Sequence, residues 1–457
     1  MIVLQIGQCG IQVGQQLFKV LEQEYKGKEK VDKSLQFKQI IVDTERKTWR
    51  QHQRASTPAT PAAKPTSASA PKTPPPRPLF PTTYLDSGTS GRGNNWAHGY
   101  WDITHLEKVM ESIRREVERG DRGEGVVLLH SVAGGTGAGF GSRIAEEYRD
   151  AHPKGNLMSY GITPFSAGET SLQHYNSLLS LGWVQRYADM VGIFSNDAVM
   201  SIVSKQYGLV GKATKTEKIT LDDLNEYIAR SIAGHLLPIT PIENADGKLV
   251  YKEKPTPSDF QTSAAELAPA PKCKIVHFAS STVVAGAMGS SGPGLGNLNS
   301  RLTAAVGWDD LRTNLLRNIP PLTGSSKRHC IAARLQARGV IGPEYWTRND
   351  QFEDKLLAKL GLVCGPDWFD VRRSSMFALD LKSPLRSLDL AYNGSDALTL
   401  LTDVHTKAQR MYAEKAYLHW YERYGGTEVF DVFEECFETV AGARDAYVDF
   451  LGGGVGL

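Results

Sequence analysis

The sequence predicts an α/β protein built around a parallel sheet, on the basis of three observations. Short apolar segments at 2–6, 39–43, 126–131 and 157–162 have the length and composition of strands. Helical patterns at 106–119 and 142–150 alternate with them, as the crossovers of a parallel sheet require. A glycine-crowded turn joins segment 126–131 to helix 142–150. At 457 residues the chain is long enough for roughly one to three packed units.

The glycine-crowded turn has the chemistry of a phosphate site. Successive glycines expose backbone N–H groups at the start of a helix, where the helix dipole also favours an anion. The motif Gly-x-x-x-x-Gly-Lys-Ser/Thr occurs nowhere, and Gly211-Lys212-Ala213 lacks the hydroxyl. A Gly-x-Gly-x-x-Gly fingerprint after the first strand is also missing, which disfavours a dehydrogenase. The turn by itself is also compatible with an ordinary structural loop.

Composition disfavours several classes of protein. The net charge is +2 and the basic residues are scattered, so we expect no nucleic-acid partner. No apolar run approaches the roughly 20 residues of a membrane span, and segment 1–6 lacks the basic flank of a signal peptide. We therefore expect no membrane partner. The five cysteines are widely spaced without a Cys-x-x-Cys pair, which favours a reducing compartment, and we expect a cytoplasmic protein.

The remaining segments suggest an insertion, a central helix and a second unit. Segment 55–81 is rich in Pro, Ala, Ser and Thr, so we expect a disordered or polyproline-like insertion there. Segment 222–237 has Leu224, Ile228 and Ile232 at helical spacing, and Pro238 ends the pattern. Further strands are expected at 274–280, 330–336 and 375–381, and long helical stretches at 395–424 and 428–450.

Four ordered segments resemble the tubulin family. The turn Ala133-Gly134-Gly135-Thr136-Gly137-Ala138-Gly139 is similar to the tubulin signature Gly-Gly-Gly-Thr-Gly-Ser-Gly, with alanine at two positions. Segment 7–14 resembles the first nucleotide loop, with Ile11 in place of the usual Asn. Segment 93–97 reads Gly-Asn-Asn-Trp-Ala, and 415–421 reads Lys-Ala-Tyr-Leu-His-Trp-Tyr, close to the Lys-Ala-Phe-Leu-His-Trp-Tyr of tubulins.

The resemblance implies a tubulin-like α/β fold that binds GTP or GDP with Mg²⁺. It divides the chain into a GTP-binding domain at 1–220, with a low-complexity insertion at about 51–85, and a central helix at 221–238. An intermediate α/β domain at 239–390 and a C-terminal helical region at 391–457 follow.

The same resemblance assigns the nucleotide-site residues. Carboxylate oxygens suit Mg²⁺, so Asp43 and Glu45 are candidate metal residues, although an ordinary acidic turn is the alternative. Glu169 is expected at the ribose, and Asn196 and Asn225 at the guanine edge, although either asparagine could be a helix cap or a surface group. The other cofactor-binding candidates, at the phosphates or the base, are Gln8, Cys9, Asn94, Ser131, Ala133, Gly134, Gly135, Thr136, Gly137 and Leu221, which stands where many tubulins have an aromatic residue.

Hydrolysis in tubulins needs a carboxylate from the neighbouring subunit. Segment 258–262, Ser-Asp-Phe-Gln-Thr, resembles the alpha-tubulin Thr-Glu-Phe-Gln-Thr, which makes Asp259 the first catalytic candidate and Glu266 the second. Such a carboxylate would orient a water while backbone N–H groups and Mg²⁺ stabilise the developing charge. Either acid could instead be an ordinary surface residue. An assembly-coupled GTPase is thus an open expectation, whereas nucleotide binding is the firmer one.

Within the family, segments 132–135, 173–177 and 414–419 most resemble the delta branch. That implies a cytoskeletal protein at centrioles and basal bodies, which assembles or maintains triplet microtubules. Its partners would be alpha tubulin, beta tubulin, further copies of itself, and centriole or basal-body proteins. An epsilon- or zeta-type tubulin is one alternative. A GTP-locked interaction module without hydrolysis is another, suggested by the altered Asp259 region and by a segment 451–457 without the acidic run of microtubule-forming tubulins.

Overall fold

A computed structural model gives the architecture of this chain. It describes residues 1–25, 37–45, 80, 82–86, 91–119, 125–168, 170–209, 219–237, 242–245, 248–251, 260–283, 308–322, 327–338, 349–362, 369–374 and 386–451.

A ten-stranded sheet forms the centre of the molecule. Its strands are β1 (Ile2–Ile6), β2 (Lys38–Asp43), β3 (Thr82–Asp86), β4 (Val126–Ser131), β5 (Leu157–Thr163), β6 (Met190–Ser195), β9 (Ile275–Val283), β10 (Cys330–Arg338), β11 (Phe369–Ser374) and β12 (Arg386–Gly394). The strand order is β11-β10-β12-β9-β6-β5-β4-β1-β2-β3. Two short strands, β7 (Ile242–Ala245) and β8 (Lys248–Tyr251), pair separately as an antiparallel hairpin.

The sheet is parallel from β3 to β9. Strand β1 pairs with both β2 and β4, and β5, β6 and β9 extend the parallel part. Strand β12 then pairs antiparallel with β9 and with β10, and β10 pairs parallel with β11. Because the chain moves outward in one direction from β1 and in the other from β4, the topological switch point lies between these two strands.

Helices cover both faces of the sheet. They are α1 (Gly7–Tyr25), α2 (Trp96–Trp101), α3 (Leu106–Glu118), α4 (Gly141–Ala151), α5 (Gln173–Tyr187), α6 (Asn196–Leu209), α7 (Leu221–Leu236), α8 (Phe260–Leu267), α9 (Trp308–Asn318), α10 (Asn349–Leu360), α11 (Asp396–Ala413), α12 (Leu418–Gly425) and α13 (Glu428–Phe450). A π-helical turn, Gly135–Phe140, leads into α4.

Alternate residues of the parallel strands supply two separate cores. On β4, Val126 and Leu128 face a core shared with α2 to α5 and α11 to α13. Val127 and Leu129 face the opposite core, shared with α1, α6, α7 and α8. This two-sided burial explains why β1 and β4 are almost continuously apolar, since each face of a parallel sheet is covered by helices. A third core packs α9 and α10 on the β9–β10–β12 part of the sheet.

The α/β fold class predicted from the sequence is confirmed. The strands predicted at 2–6 and 126–131 coincide with β1 and β4, and the helix predicted at 428–450 coincides with α13. The strand predicted at 375–381 lies outside the described residues. The domain boundaries at 221, 239 and 391 stay predictions. Every helix within the described ranges is too short or too polar to cross a lipid bilayer.

Two expectations require correction. The stretch 395–424 is two helices rather than one, because the chain leaves α11 at Ala413 and passes through left-handed backbone at Lys415 (φ 51°) and Tyr417 (φ 59°) before α12. The low-complexity insertion expected at about 51–85 is shorter at its C-terminal end, because Phe80 is buried against Phe18 and Phe37 and β3 pairs with β2 in the sheet. Most of the predicted insertion lies outside the described residues.

Candidate functional site

A cleft opens at the carboxyl ends of β1 and β4, at the topological switch point. Its volume is about 400 Å³, within the range of small-molecule sites. Ile6, at the end of β1, and Ser131, at the end of β4, both line it. Ligands in open α/β sheets bind at this place because the loops on either side of the switch point diverge and leave a crevice.

Nearly all the site residues predicted from the sequence meet at this cleft. They come from six separate parts of the chain, which only the fold brings together. The predicted residues that line it are Gln8, Cys9, Asp43, Glu45, Asn94, Ser131, Ala133, Gly134, Gly135, Thr136, Gly137, Asn196, Leu221 and Asn225.

Glycine is required where the first loop and the glycine-rich turn touch. Helix α1 begins at Gly7, which has a φ of +69°, and a Cβ there would lie 3.1 Å from the Gly137 nitrogen. A Cβ on Gly137 would lie 3.0 Å from the Ser131 nitrogen. At Gly134, by contrast, a Cβ would meet nothing within 4 Å. The two loops therefore pack closely against each other and present backbone, rather than side chains, to the cleft.

The Asn176 side chain ties the walls of the cleft together. This residue of α5 is fully buried. Its Nδ2 donates to the carbonyl oxygens of Asn94 (2.7 Å) and Ala133 (2.8 Å). Its Oδ1 accepts from the Trp96 backbone (2.9 Å) and from the Tyr421 hydroxyl of α12 (2.6 Å). All four bonding positions of the amide are thus used, which fixes the two loops relative to each other.

Hydroxyl and carboxylate groups lie along one side of the cleft. The hydroxyls of Thr44 and Thr136 are hydrogen-bonded to each other at 2.8 Å. The Asp43 carboxylate accepts from the backbone nitrogens of Thr44 (2.7 Å) and Glu45 (3.3 Å), which orders the turn after β2. The Ser131 hydroxyl accepts from the Ala133 nitrogen at 3.2 Å. These bonds hold in place the donors and acceptors of the glycine-rich turn and of the turn after β2.

Asp43 and Glu45 could contribute to a magnesium site only with help from a ligand. Among the described residues there is no group of three or more His, Cys, Asp or Glu side chains arranged to hold a metal ion. Mg²⁺ prefers six oxygen ligands and keeps several waters, so two carboxylates beside a phosphate chain are compatible with it. The donor set therefore fits a magnesium ion held jointly with ligand phosphates.

The opposite end of the cleft carries the two predicted asparagines. Asn196 is the first residue of α6, directly after β6, and Asn225 is a buried residue of α7. Leu221 opens α7 and is exposed. The start of α7 is fixed by a capping box, in which Thr220 accepts from the Asp223 nitrogen and the Asp223 carboxylate accepts from the Thr220 nitrogen. Two amides, each with a donor and an acceptor, can thus face a heterocyclic ring beside an exposed apolar side chain.

His130 lies beneath the glycine-rich turn as a neutral ring. Burial lowers the pKa of its imidazole to about 4. Its Nε2 is 2.8 Å from the Ser159 hydroxyl. Because a buried imidazolium would be costly there, we assign His130 a packing role and no charge at neutral pH.

The three other predicted residues are Glu169, Asp259 and Glu266. Glu169 and Asp259 lie outside the described residues. Glu266, on α8, forms an ion pair with the buried Arg334 of β10, whose other terminal nitrogen donates to Ser263 at 2.6 Å. A carboxylate that acts on a neighbouring subunit need not lie at its own cleft, so the catalytic assignments of Asp259 and Glu266 stay proposals.

Several cleft residues were missed in the sequence. Gln12, Thr170, Gln173 and Arg92 contribute to the walls. Each lies within a few residues of a predicted site residue, and Arg92 directly precedes Gly93 and Asn94. Proximity to the matched segments was thus the available signal, although it does not say which neighbours point inward.

Comparison with known proteins agrees with this geometry. Residues 1–204 match the family described as Tubulin/FtsZ family, GTPase domain. The matched range contains β1 to β6 and most of the cleft. The chain is thus similar to tubulins, through a GTPase-domain match over residues 1–204 and a weaker similarity over most of its length.

Tubulin delta chains are among the similar proteins. The mouse (Mus musculus) tubulin delta chain is 28% identical over 356 residues, which cover 74% of this chain and 74% of that protein. The tubulin delta chain of Macaca fascicularis is 32% identical over 167 residues, 36% of this chain and 35% of that protein. The tubulin beta-1 chain of Chondrus crispus is 25% identical over 358 residues, 77% of this chain and 71% of that protein. The match to the macaque relative thus spans about a third of its length.

Proposed function

We propose that the cleft binds a guanine nucleotide, GTP or GDP. The single observation that supports this most is the assembly of the predicted phosphate and base residues at one switch-point cleft of about 400 Å³. The backbone of 133–137, with Gln8, Asn94 and Ser131, would hold the phosphates. Asn196 and Asn225 would pair with the guanine edge, and Cys9 and Leu221 would lie near the base. Glu169 would accept hydrogen bonds from the ribose.

Magnesium would be held at the phosphate end, by Asp43 and Glu45 together with phosphate oxygens and water. The metal would neutralise part of the negative charge of the phosphate chain. Asp43 is already oriented by the backbone nitrogens of Thr44 and Glu45, so we expect it to need little rearrangement.

For the cellular role, we propose a delta-like tubulin of the cytoskeleton. It would act at centrioles and basal bodies in the assembly or maintenance of triplet microtubules, with alpha tubulin, beta tubulin, further copies of itself and centriole proteins as partners. The similarity to tubulin delta chains supports this role. Tagged protein expressed in ciliated cells should concentrate at centrioles, and a diffuse distribution would count against the proposal.

Hydrolysis is a separate part of the proposal. Asp259, immediately before α8, would orient the attacking water at the nucleotide of the next subunit once the subunits assemble. A nucleotide-locked module that never hydrolyses is the second candidate, and the ion pair between Glu266 and Arg334 favours it because that acid is already engaged.

The first experiment measures the nucleotide content and turnover of the purified chain. Bound nucleotide is released by acid and identified by chromatography, and phosphate release is then followed alone and with alpha and beta tubulin. Bound GTP with turnover that rises on assembly supports the GTPase. Guanine nucleotide without turnover supports the locked module, and a chain without guanine nucleotide contradicts the binding proposal.

A matched pair of variants tests the base assignment. Asn225→Asp replaces an amide donor with a carboxylate, which should reduce guanine nucleotide affinity by about tenfold or more, because a buried acceptor then faces the guanine oxygen. Asn156→Asp makes the same change in a loop outside the cleft lining and should leave affinity unchanged.

A further inference from the structure

Arg92 is the one cationic residue among the described residues that line the cleft. The acidic residues there are Asp43 and Glu45. The Arg92 side chain is 6% exposed, so its charge is largely removed from bulk water. A buried guanidinium interacts with nearby anions more strongly than an exposed one, because solvent screens it less. An anionic ligand in this cleft would therefore meet its positive charge at Arg92.

The fold holds Arg92 against the phosphate-facing turn. Its Cβ and carbonyl oxygen both lie so close to Gly135 that a Cβ on that glycine would come within 2.8 Å of each. Its carbonyl accepts from the Asn95 nitrogen at 3.0 Å, which closes the turn through Gly93 and Asn94. Its Nη2 lies 2.9 Å from the Asp102 carboxylate at the end of α2. The backbone and the side chain of Arg92 are thus both anchored.

The position of Arg92 along the cleft indicates which part of a ligand it would meet. Asn196 and Asn225 mark the end assigned to the base. Arg92 lies at the other end, next to Gly91, where a Cβ would overlap the Glu45 carboxylate. A nucleotide laid between these ends would bring its last phosphate to the side of Arg92 and Glu45.

We propose that Arg92 contacts the terminal phosphate of the bound nucleotide and makes the cleft prefer the triphosphate over the diphosphate, with Asp102 as its positioning residue. This inference rests on the proposed function. A guanidinium carries five donors in a planar fork, so it can serve a carboxylate and a phosphate oxygen at once. The diphosphate lacks the terminal group and gains less from the same cation.

The test compares the affinities of GTP and GDP in four variants, measured by competition for the purified chain. Arg92→Gln should lower GTP affinity by about ten- to hundredfold, the usual loss for a charge-assisted hydrogen bond, and GDP affinity by much less. Arg92→Lys keeps the charge and should retain part of the preference. Asp102→Asn keeps the guanidinium but weakens the ion pair that positions it, and should therefore reduce the preference for GTP by less than Arg92→Gln does. Arg149→Gln is the control, because it breaks a partly buried ion pair with Asp189 outside the cleft. It should leave the ratio of GTP to GDP affinity unchanged.

The outcomes separate a phosphate contact from a structural role. If the Arg92–Asp102 pair only braces the loop, Arg92→Gln and Asp102→Asn will weaken GTP and GDP equally, and the inference is overturned. If Arg92→Gln fails to fold, the affinities of Arg92→Lys provide the test. The inference is overturned as well if Arg92→Lys binds GTP and GDP with the same affinities, and the same ratio, as the wild type. A wild-type chain that binds neither nucleotide removes the proposed function and this inference together. A wild-type chain that binds both, with the ratio unchanged in Arg92→Gln, removes the inference alone.

Discussion

Asn176 is the residue on which the geometry of the cleft most depends. Its amide bonds to both loops proposed to hold the phosphates and to Tyr421, which belongs to a helix 245 residues further along the chain. A buried amide with every position satisfied is stabilising as a unit, and it becomes costly when one partner is changed.

We predict that Asn176→Asp destabilises the chain by about 3 kcal/mol or more, because a carboxylate oxygen would then face the carbonyls of Asn94 and Ala133 in a buried place. Thermal unfolding measures the loss. Asn156→Asp, in a partly exposed loop, should unfold like the wild type. An Asn176→Asp chain as stable as the wild type would show that the amide orientation is wrong.

Two glycines of the same turn provide a contrast in packing. We predict that Gly139→Ala costs about 1 to 3 kcal/mol, because its Cβ would overlap the carbonyl oxygen of Trp96 in a buried contact between the π-helical turn and α2. Gly134→Ala should leave the free energy of unfolding nearly unchanged, since its Cβ meets nothing within 4 Å. Denaturant unfolding of both variants is the measurement, and equal losses would contradict the packing described here.

At the scale of elements, the C-terminal end of α7 depends on the neighbouring sheet. Arg338 of β10 is fully buried and donates to the carbonyl oxygens of Gly234 (2.9 Å) and Leu237 (2.7 Å). These are carbonyls that the last turn leaves without intrahelical partners, and a cation at this end also complements the helix dipole. On the other side, the Asp389 carboxylate of β12 lies against Gly234, where a Cβ would overlap it.

Asp389 should make stability depend on pH. Burial raises the pKa of its carboxyl group to about 6, although the hydroxyl of Ser387 and the charges of Arg338 and Arg230 act in the opposite direction. A raised pKa means that the folded chain holds the proton more tightly than the unfolded chain. The contribution is therefore fully favourable below about pH 4 and is lost as the pH rises to about 6.

We predict that Asp389→Asn is more stable than the wild type at pH 7 by about 1 to 3 kcal/mol, since the asparagine carries no charge to bury. The difference should shrink as the pH falls from about 6 and should vanish near pH 4. Unfolding curves recorded across this range give the test. Parallel pH profiles for the two proteins would mean that the carboxyl group is not perturbed.

At the scale of the whole molecule, one sheet connects the nucleotide cleft with the part of the chain that carries the catalytic candidates. Strand β6 pairs with β9, and β9 leads through β12 to β10. Helix α8 packs on this region, held by the pairing of Arg334 with Glu266 and Ser263. Asp259 directly precedes this helix in the sequence, whereas Glu266 within the helix is paired with Arg334. We therefore expect Asp259 to act in hydrolysis and Glu266 in stability.

We predict that Asp259→Asn removes the turnover stimulated by assembly while leaving GTP affinity unchanged. Glu266→Gln should instead lower stability by about 1 kcal/mol or more, because it weakens the ion pair of a buried arginine, and should leave turnover per assembled subunit intact. Phosphate release and thermal unfolding of both variants separate the two roles. If Glu266→Gln loses turnover and Asp259→Asn keeps it, then Glu266 is the catalytic carboxylate and Asp259 is not.

The sequence by itself determined the fold class, several strand limits and most of the cleft lining. Strands such as β1 and β4 were predictable because burial on both faces leaves a short continuous apolar run. The turn at 133–141 was predictable because only glycine permits such close backbone approach, and the matched segments predicted that Asn196 and Asn225 line the cleft.

Other features were decided only by the tertiary structure. Helix α5 shows no apolar stripe because 12 of its residues are buried, on all sides, so its period could not be recognised. The break between α11 and α12 depends on left-handed backbone at Lys415 and Tyr417, which neither residue type indicates. The pairing of Arg92 with Asp102 and the four bonds of Asn176 join distant segments. A local sequence pattern indicates which side of a helix or strand is buried. The residue that a buried side chain contacts depends on how distant segments of the chain pack together.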